Sequence, residues 1–304
     1  MPGYRNVNTT ARHLIPRALC LFFIVLLQFP GTASFASPST EVRFDTPGTH
    51  PVNDSLPLGN GRLGLLVPGG IEHERIAINE DSTWSGWANR AANNPAAADA
   101  LPAIRGLFLE GKVLEAQALV AGTQVPRGRD DSGRSVWEAY GSYQMLAFLD
   151  IEFRHPAGEV SEYTRTLDLD NAVVEIAYTL GGVRYRRKFF TSFPDQVVAA
   201  QFSADRPGAI SLDAMLSRPD TNAAVTHSDD GLLLSGTMGT PPDIQGLVYA
   251  ARLAARANGA AVVAHEGKLA VRNADEVLLI LSADTSYLGA RAWPEKLGGD
   301  PLES

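Results

Sequence analysis

The chain has 304 residues, 45% hydrophobic and 20% charged, with 26 basic against 34 acidic side chains and a formal net charge of −8. That balance argues against nucleic acid and against anionic membrane faces as partners, and it leaves neutral ligands open. Its single cysteine, Cys20, excludes an internal disulfide and a thiolate metal cluster.

Residues 1–36 read as a secretory signal peptide. Arg5, Arg12 and Arg17 form a positive n-region, Ala18 to Phe29 an apolar h-region, and Ser34-Phe35-Ala36 a small-residue cleavage site. Cleavage after Ala36 leaves 304 − 36 = 268 residues, no cysteine, and a net charge of 23 − 34 = −11. No later stretch approaches the roughly 18 apolar residues of a membrane span. The expected location is secreted or periplasmic, with no membrane contact after cleavage and no nucleic acid partner.

From residue 37 to about residue 290, short strand-like runs alternate with turn signals. Leu63 to Val67 and Ile71 to Ile78 flank Pro68-Gly69-Gly70 as a hairpin. Met145, Ala147, Leu149, Ile151 and Phe153 are apolar at every second position, the period of a half-buried strand. Val173 to Leu180 and Val183 to Phe190 are joined by Gly181-Gly182, a two-residue hairpin signal. Further runs are Gln196 to Phe202, Ile210 to Leu216, Leu232 to Ser235, Leu247 to Ala255, Leu269 to Val271 and Val277 to Leu281. The expected fold is mainly β, an antiparallel two-sheet sandwich. One helical segment interrupts it, around 95–121. Asn94-Pro95 opens that segment, Pro102 and Gly111 should divide it, and Leu101, Ile104, Leu107 and Phe108 form a face expected to pack on the sandwich. Gly122 to Trp137 reads as a surface loop, and residues 291–304 as the start of a linker at which the chain is truncated.

The functional handle is the block 57–86, two Gly-rich turns followed by Asn79, Glu80, Asp81 and Trp84, with Trp87 just beyond. Indole beside amide and carboxylate suits sugar recognition, a flat apolar face for C–H groups and polar tips for hydroxyls. Asn79, Glu80, Trp84 and Trp87 are therefore the candidate substrate-binding residues. The alternative is structural: Asn79 and Asp81 make Asx-type turns, Glu80 pairs with a basic neighbour, and the indoles fill a seam between domains. Trp84, nearer the strand, is the more structural of the two indoles. Arg62 is expected to pair with a carboxylate rather than to clamp a ligand. Glu72-His73-Glu74 lacks metal-ligand geometry, because alternate strand residues face opposite sides. Asp168 and Asp170 read as a turn rather than a catalytic pair, and Asp130-Asp131 as solvated loop rather than a calcium site. No Gly-x-Ser-x-Gly elbow stands out. No metal and no cofactor is expected.

An ordered set of motifs gives this block a family. Leu56-Pro-Leu-Gly-Asn-Gly-Arg-Leu-Gly64, Glu74-Arg-Ile-Ala-Ile-Asn-Glu-Asp-Ser-Thr-Trp-Ser-Gly86, Asn93-Asn-Pro95, Tyr143-Gln144, Leu167-Asp-Leu-Asp170, Phe193-Pro-Asp-Gln-Val197, Arg206-Pro-Gly208 and Ala274-Asp-Glu-Val277 through Thr285-Ser-Tyr287 resemble the N-terminal domain of glycoside hydrolase family 95, the α-L-fucosidase family. The resemblance implies an N-terminal sandwich, a helical linker and an (α/α)6 barrel that holds the chemistry. There an acid protonates the glycosidic oxygen and water attacks with inversion. It implies an α-L-fucosylated glycan as the parent enzyme's substrate and the barrel as the domain's partner. The barrel's acid and water activator map to no position here, so no catalytic residue is assigned and this chain alone is expected to be inactive. The alternatives are a stand-alone carbohydrate-binding module and an inert remnant of an interrupted gene. One departure is local: Tyr143-Gln-Met-Leu-Ala-Phe148 stands where the family reads Tyr-Gln-Pro-Leu-Gly-Asp, which suggests that a turn has become continuous strand.

Overall fold

A computed structural model describes residues 40–86, 93–126, 128, 133, 141–219, 222–228, 231–239, 246–288 and 301. The signal peptide, Trp87, Asp130-Asp131 and the linker read at 291–300 lie outside the described residues. The described residues belong to one compact unit, Ser39–Ser304.

Among the described residues sixteen strands run in chain order: β1 (Glu41–Phe44), β2 (Leu56–Gly59), β3 (Leu63–Val67), β4 (His73–Glu80), β5 (Ala147–Phe153), β6 (Val160–Asp168), β7 (Val173–Leu180), β8 (Val183–Ser192), β9 (Val197–Ala204), β10 (Ile210–Ser217), β11 (Ala223–Ser228), β12 (Gly231–Thr237), β13 (Val248–Asn258), β14 (Val262–His265), β15 (Lys268–Ala274) and β16 (Glu276–Thr285). They form a nine-stranded sheet, β1-β6-β7-β8-β9-β16-β13-β12-β11, and a seven-stranded sheet, β14-β15-β10-β5-β4-β3-β2. Neighbours are antiparallel throughout, as the mainly-β reading requires. The expected hairpins β3–β4 and β7–β8 both form, with Leu65 opposite Ile78 and Leu180 opposite Val183. Strands β1, β2, β6, β11 and β14 are additional to the sequence reading; their short or polar runs carry at most two apolar residues at successive alternate positions, too few to mark a strand.

The core follows from the pleat. Successive strand side chains face opposite ways, so Leu63, Leu65 and Val67 on β3, Ile76 and Ile78 on β4, and Val277, Leu279 and Leu281 on β16 share one dry layer between the sheets. Each such burial stabilises the fold by about 1.5–3 kcal/mol. A one-residue slip in any of these strands would turn the whole set to water, which fixes the register.

Among the described residues between β4 and β5 are two helices, α1 (Ala96–Leu109) and α2 (Val113–Thr123). Asn94 caps the first, its Oδ1 accepting from the Ala96 N–H at 3.1 Å. Gly111, at φ +75°, ends it: the Gly111 N–H donates to the Phe108 carbonyl and the Lys112 N–H to the Leu107 carbonyl, the paired bonds of a Schellman stop. Pro102, expected to divide the segment, instead lies inside α1. Its φ suits a helix and its missing N–H removes one bond, which the Ala-rich flank outweighs. The predicted packing face is also corrected. Ile104 is buried, but Leu101 and Phe108 are exposed, and α1 packs chiefly on α2, the nearest apolar surface across a short connection. Nor is 143–148 continuous strand: β5 begins at Ala147, and Tyr143 makes an isolated bridge to Trp84.

Candidate functional site

The site lies at the end of the sandwich where β4 finishes and β5 starts. It begins with the turn at Asn60-Gly61-Arg62. Gly61 takes φ +94° and Asn60 Oδ1 accepts from the Arg62 and Leu63 N–H groups at 3.0 and 2.8 Å. Asn60 Nδ2 then donates to the Ser192 carbonyl of the opposite sheet at 2.8 Å. So held, Arg62 reaches Glu80 at 3.3 Å and Asp284 at 3.3 Å, and donates to the Ala283 carbonyl. The carboxylate pairing expected for Arg62 and the basic neighbour that the structural alternative gave Glu80 are one contact.

Glu80 is 2% exposed. Its Oε2 accepts from the Ser82 N–H at 2.8 Å and from the Ser82 hydroxyl at 2.7 Å, while Oε1 faces Arg62. Burial pushes its pKa up, the Ser82 donors pull it back, and neighbouring Asp81 raises it again. The Ser82 hydroxyl also meets Thr285 Oγ1 of the other sheet. Glu80 therefore works as a strut under the loop that follows it.

That loop carries the aromatics. Thr83 Oγ1 lies 2.7 Å from the Glu80 carbonyl and 2.6 Å from that of Gln144, and the Gln144 N–H donates to the Thr83 carbonyl at 2.8 Å. The Ser85 N–H donates to the Ser142 carbonyl at 3.0 Å, and the Ser142 N–H to Ser85 Oγ at 2.9 Å. Gly141 sits where only glycine fits: φ is +62° and a Cβ would lie 1.8 Å from the Ser85 carbonyl oxygen. Between these bonds Trp84 and Tyr143 stand edge to face, ring centroids 6.2 Å apart and planes at 74°. Trp84 is 51% exposed and Tyr143 43%. The Tyr143 hydroxyl lies 3.1 Å from both Asn79 Oδ1 and the Glu80 carbonyl, and burial raises its pKa.

The structure thus brings together Asn79, Glu80 and Trp84. Trp84, expected to be the more structural indole, is half exposed. Tyr143 is the residue that the sequence reading quoted only as a motif and did not place at the site; an aromatic ending the segment before β5 was its one signal. Asp168 makes the expected turn, its Oδ1 accepting from the Asp170 and Asn171 N–H groups. His73 lies 3.6 Å from Asp150, whereas Glu74 points into the core. Among the described residues no group of three or more His, Cys, Asp or Glu side chains could hold a metal ion, and no helix is long and apolar enough to cross a membrane.

Residues 42–290 match the family model described as "Glycosyl hydrolase family 65, N-terminal domain". The chain belongs to that family. This glycoside hydrolase N-terminal domain is also 30% identical over 272 residues to "Alpha-L-fucosidase 2" of Arabidopsis thaliana, covering 82% of this chain and 31% of the relative. It is 30% identical over 267 residues to "Probable alpha-fucosidase A" of Aspergillus niger, covering 80% of this chain and 30% of that one. The chain spans about a third of the length of these curated relatives. A solved structure from the human microbiome, named as a kojibiose phosphorylase, overlays 86% of this chain and 33% of its own at a TM-score of 0.44 and 9% identity.

Proposed function

We propose that this domain is the supporting and rim-forming part of an exported hydrolase acting on α-L-fucosides. Its sandwich buttresses a helical barrel that holds the catalytic carboxylates, and Trp84, Tyr143 and Asn79 shape one edge of the sugar pocket. The observation that carries this reading is the half-exposed Trp84–Tyr143 pair, pinned beside Asn79 at one end of a sandwich whose relatives are named fucosidases. Such a pair offers an apolar face and a polar tip, the two needs of a pyranose ring. Trp87, outside the described residues, is proposed as a further sugar contact on the sequence alone. Glu80 contributes by holding the loop, since both of its oxygens are engaged and hidden. With that carboxylate tied up, the domain alone is proposed to be catalytically silent, and the signal peptide is proposed to carry it to the periplasm or the exterior.

The test is a chimera in which residues 40–288 replace the corresponding third of the Arabidopsis relative. Hydrolysis of a nitrophenyl α-L-fucoside by the chimera, with none by the 304-residue chain, is the expected result. Nitrophenol release by the chain alone would overturn the buttress reading. Tight calorimetric binding of a fucosylated glycan by the chain alone, with an inactive chimera, would favour a stand-alone binding module.

A further inference from the structure

The opposite end of the sandwich holds a polar cluster that the proposed function does not use. Arg187 of β8 is 2% exposed and faces Glu74 of β4, 0% exposed, with Nη1 to Oε2 at 3.2 Å. Arg187 also donates to the Gly70 and Ile71 carbonyls and, through Nη2, to the Tyr178 hydroxyl, and it lies over the Phe153 ring at 3.6 Å. Glu74 Oε1 accepts from the Gly69 N–H at 2.8 Å. His155, just past β5, completes the cluster with Nε2 2.7 Å from the Tyr178 hydroxyl. Its ring stacks on Phe153 at 5.4 Å and 4°, and meets Tyr185 at 4.4 Å.

Hydrogen bookkeeping favours one state of this histidine. A guanidinium only donates, so the Tyr178 oxygen accepts from Arg187. The phenolic proton is then free to go to His155 Nε2, the arrangement in which Arg187, Tyr178 and His155 are all satisfied. In it His155 is neutral, with its proton on Nδ1. Protonation at Nε2 would leave the Tyr178 proton without its acceptor and set a second cation beside Arg187. The charged and titratable groups around the ring give little relief. Glu74 is committed to Arg187 and the Gly69 N–H, Arg186 at the rim is itself a cation paired with Glu175, and Tyr178 and Tyr185 are phenols. Asp205 and Arg206 act on Tyr185 with opposite signs.

We propose that His155 is an acid-sensitive latch: its neutral ring closes this end of the sandwich, and its protonation releases the ring and opens the hollow between Phe153, Tyr178, Tyr185 and Phe202 to water. Burial and the neighbouring Arg187 push its pKa down to about 4 from 6.5. A depressed histidine contributes stability that is complete above its ordinary pKa. That contribution is lost as pH falls from 6.5 through about 4.

The experiment follows the 304-residue chain from pH 7 to 3 by imidazole C2–H NMR, near-ultraviolet circular dichroism and binding of an apolar dye. The expected result is one imidazole titrating well below the ordinary histidine value of 6.5, with tyrosine dichroism falling and dye binding rising at the same pH. His155→Gln keeps an acceptor for Tyr178 but takes no proton; its change should move to lower pH. Tyr178→Phe removes the hydroxyl that holds the neutral ring, and should move the wild-type change upward. An imidazole at position 155 titrating near 6.5, or a His155→Gln profile identical to wild type, would overturn the latch.

Discussion

Strand β4 carries a glutamate on its core-facing side near each end, Glu74 and Glu80, and each is met by an arginine from elsewhere. At one end Arg187 is 2% exposed and its surroundings are aromatic rings, Phe153, Tyr163, Tyr178 and Phe202, all buried. At the other, the Arg62 side chain is 28% exposed, and the aromatics of the loop that Glu80 supports, Trp84 and Tyr143, are exposed. The same ion pair thus serves two purposes. In the dry end it ties the sheets through a fully desolvated network, which is costly to break because a lone buried charge remains. In the wet end it holds loops in place while leaving their apolar faces uncovered.

Substitutions sharpen that contrast. Arg187→Ala should have the largest effect, a loss of about 3–5 kcal/mol in urea denaturation, since Glu74 is left buried and unpaired. Replacing both Glu74 and Arg187 by leucine should recover much of it; a double variant as unstable as the single one would break the argument. Arg62→Ala should cost less, about 1.5–3 kcal/mol by the same assay, because water reaches the vacated space. If it equalled Arg187→Ala, the two ends would not differ in kind. Tyr143→Phe removes the hydroxyl at Asn79 and the Glu80 carbonyl and should lower stability by about 0.5–1.5 kcal/mol. Trp84→Ala should leave thermal stability within about 0.5 kcal/mol of wild type, as for other exposed positions. In the chimera the same change should raise KM for the fucoside. A large loss of stability from Trp84→Ala would recast the indole as a packing residue.

Much of the site was legible because turn chemistry is local. Asn60-Gly61-Arg62, the cap at Asn94 and the stop at Gly111 each work through bonds to residues two to five positions away. Pro102 misled because a proline in a helix costs one bond, and an alanine-rich neighbourhood outweighs it. The dry cluster went unread although its signal was present. Arg187 occupies a core-phase position of β8, between Tyr185 and Phe189, and Glu74 the same phase of β4 as Ile76 and Ile78. Two opposite charges on inward positions of separate strands imply a buried pair, but period alone does not say that the two strands face each other.

Alternation of apolar residues and the punctuation between them determined that this chain folds as antiparallel sheets with one helical interruption, because backbone pleat and turn geometry depend on near neighbours. Only the tertiary structure decided which distant residues meet: Arg62 with Asp284, Trp84 with Tyr143, and His155 with Tyr178 and Arg187. Those contacts arise from the stacking order of two sheets, a property of the closed core that no local stretch of sequence contains.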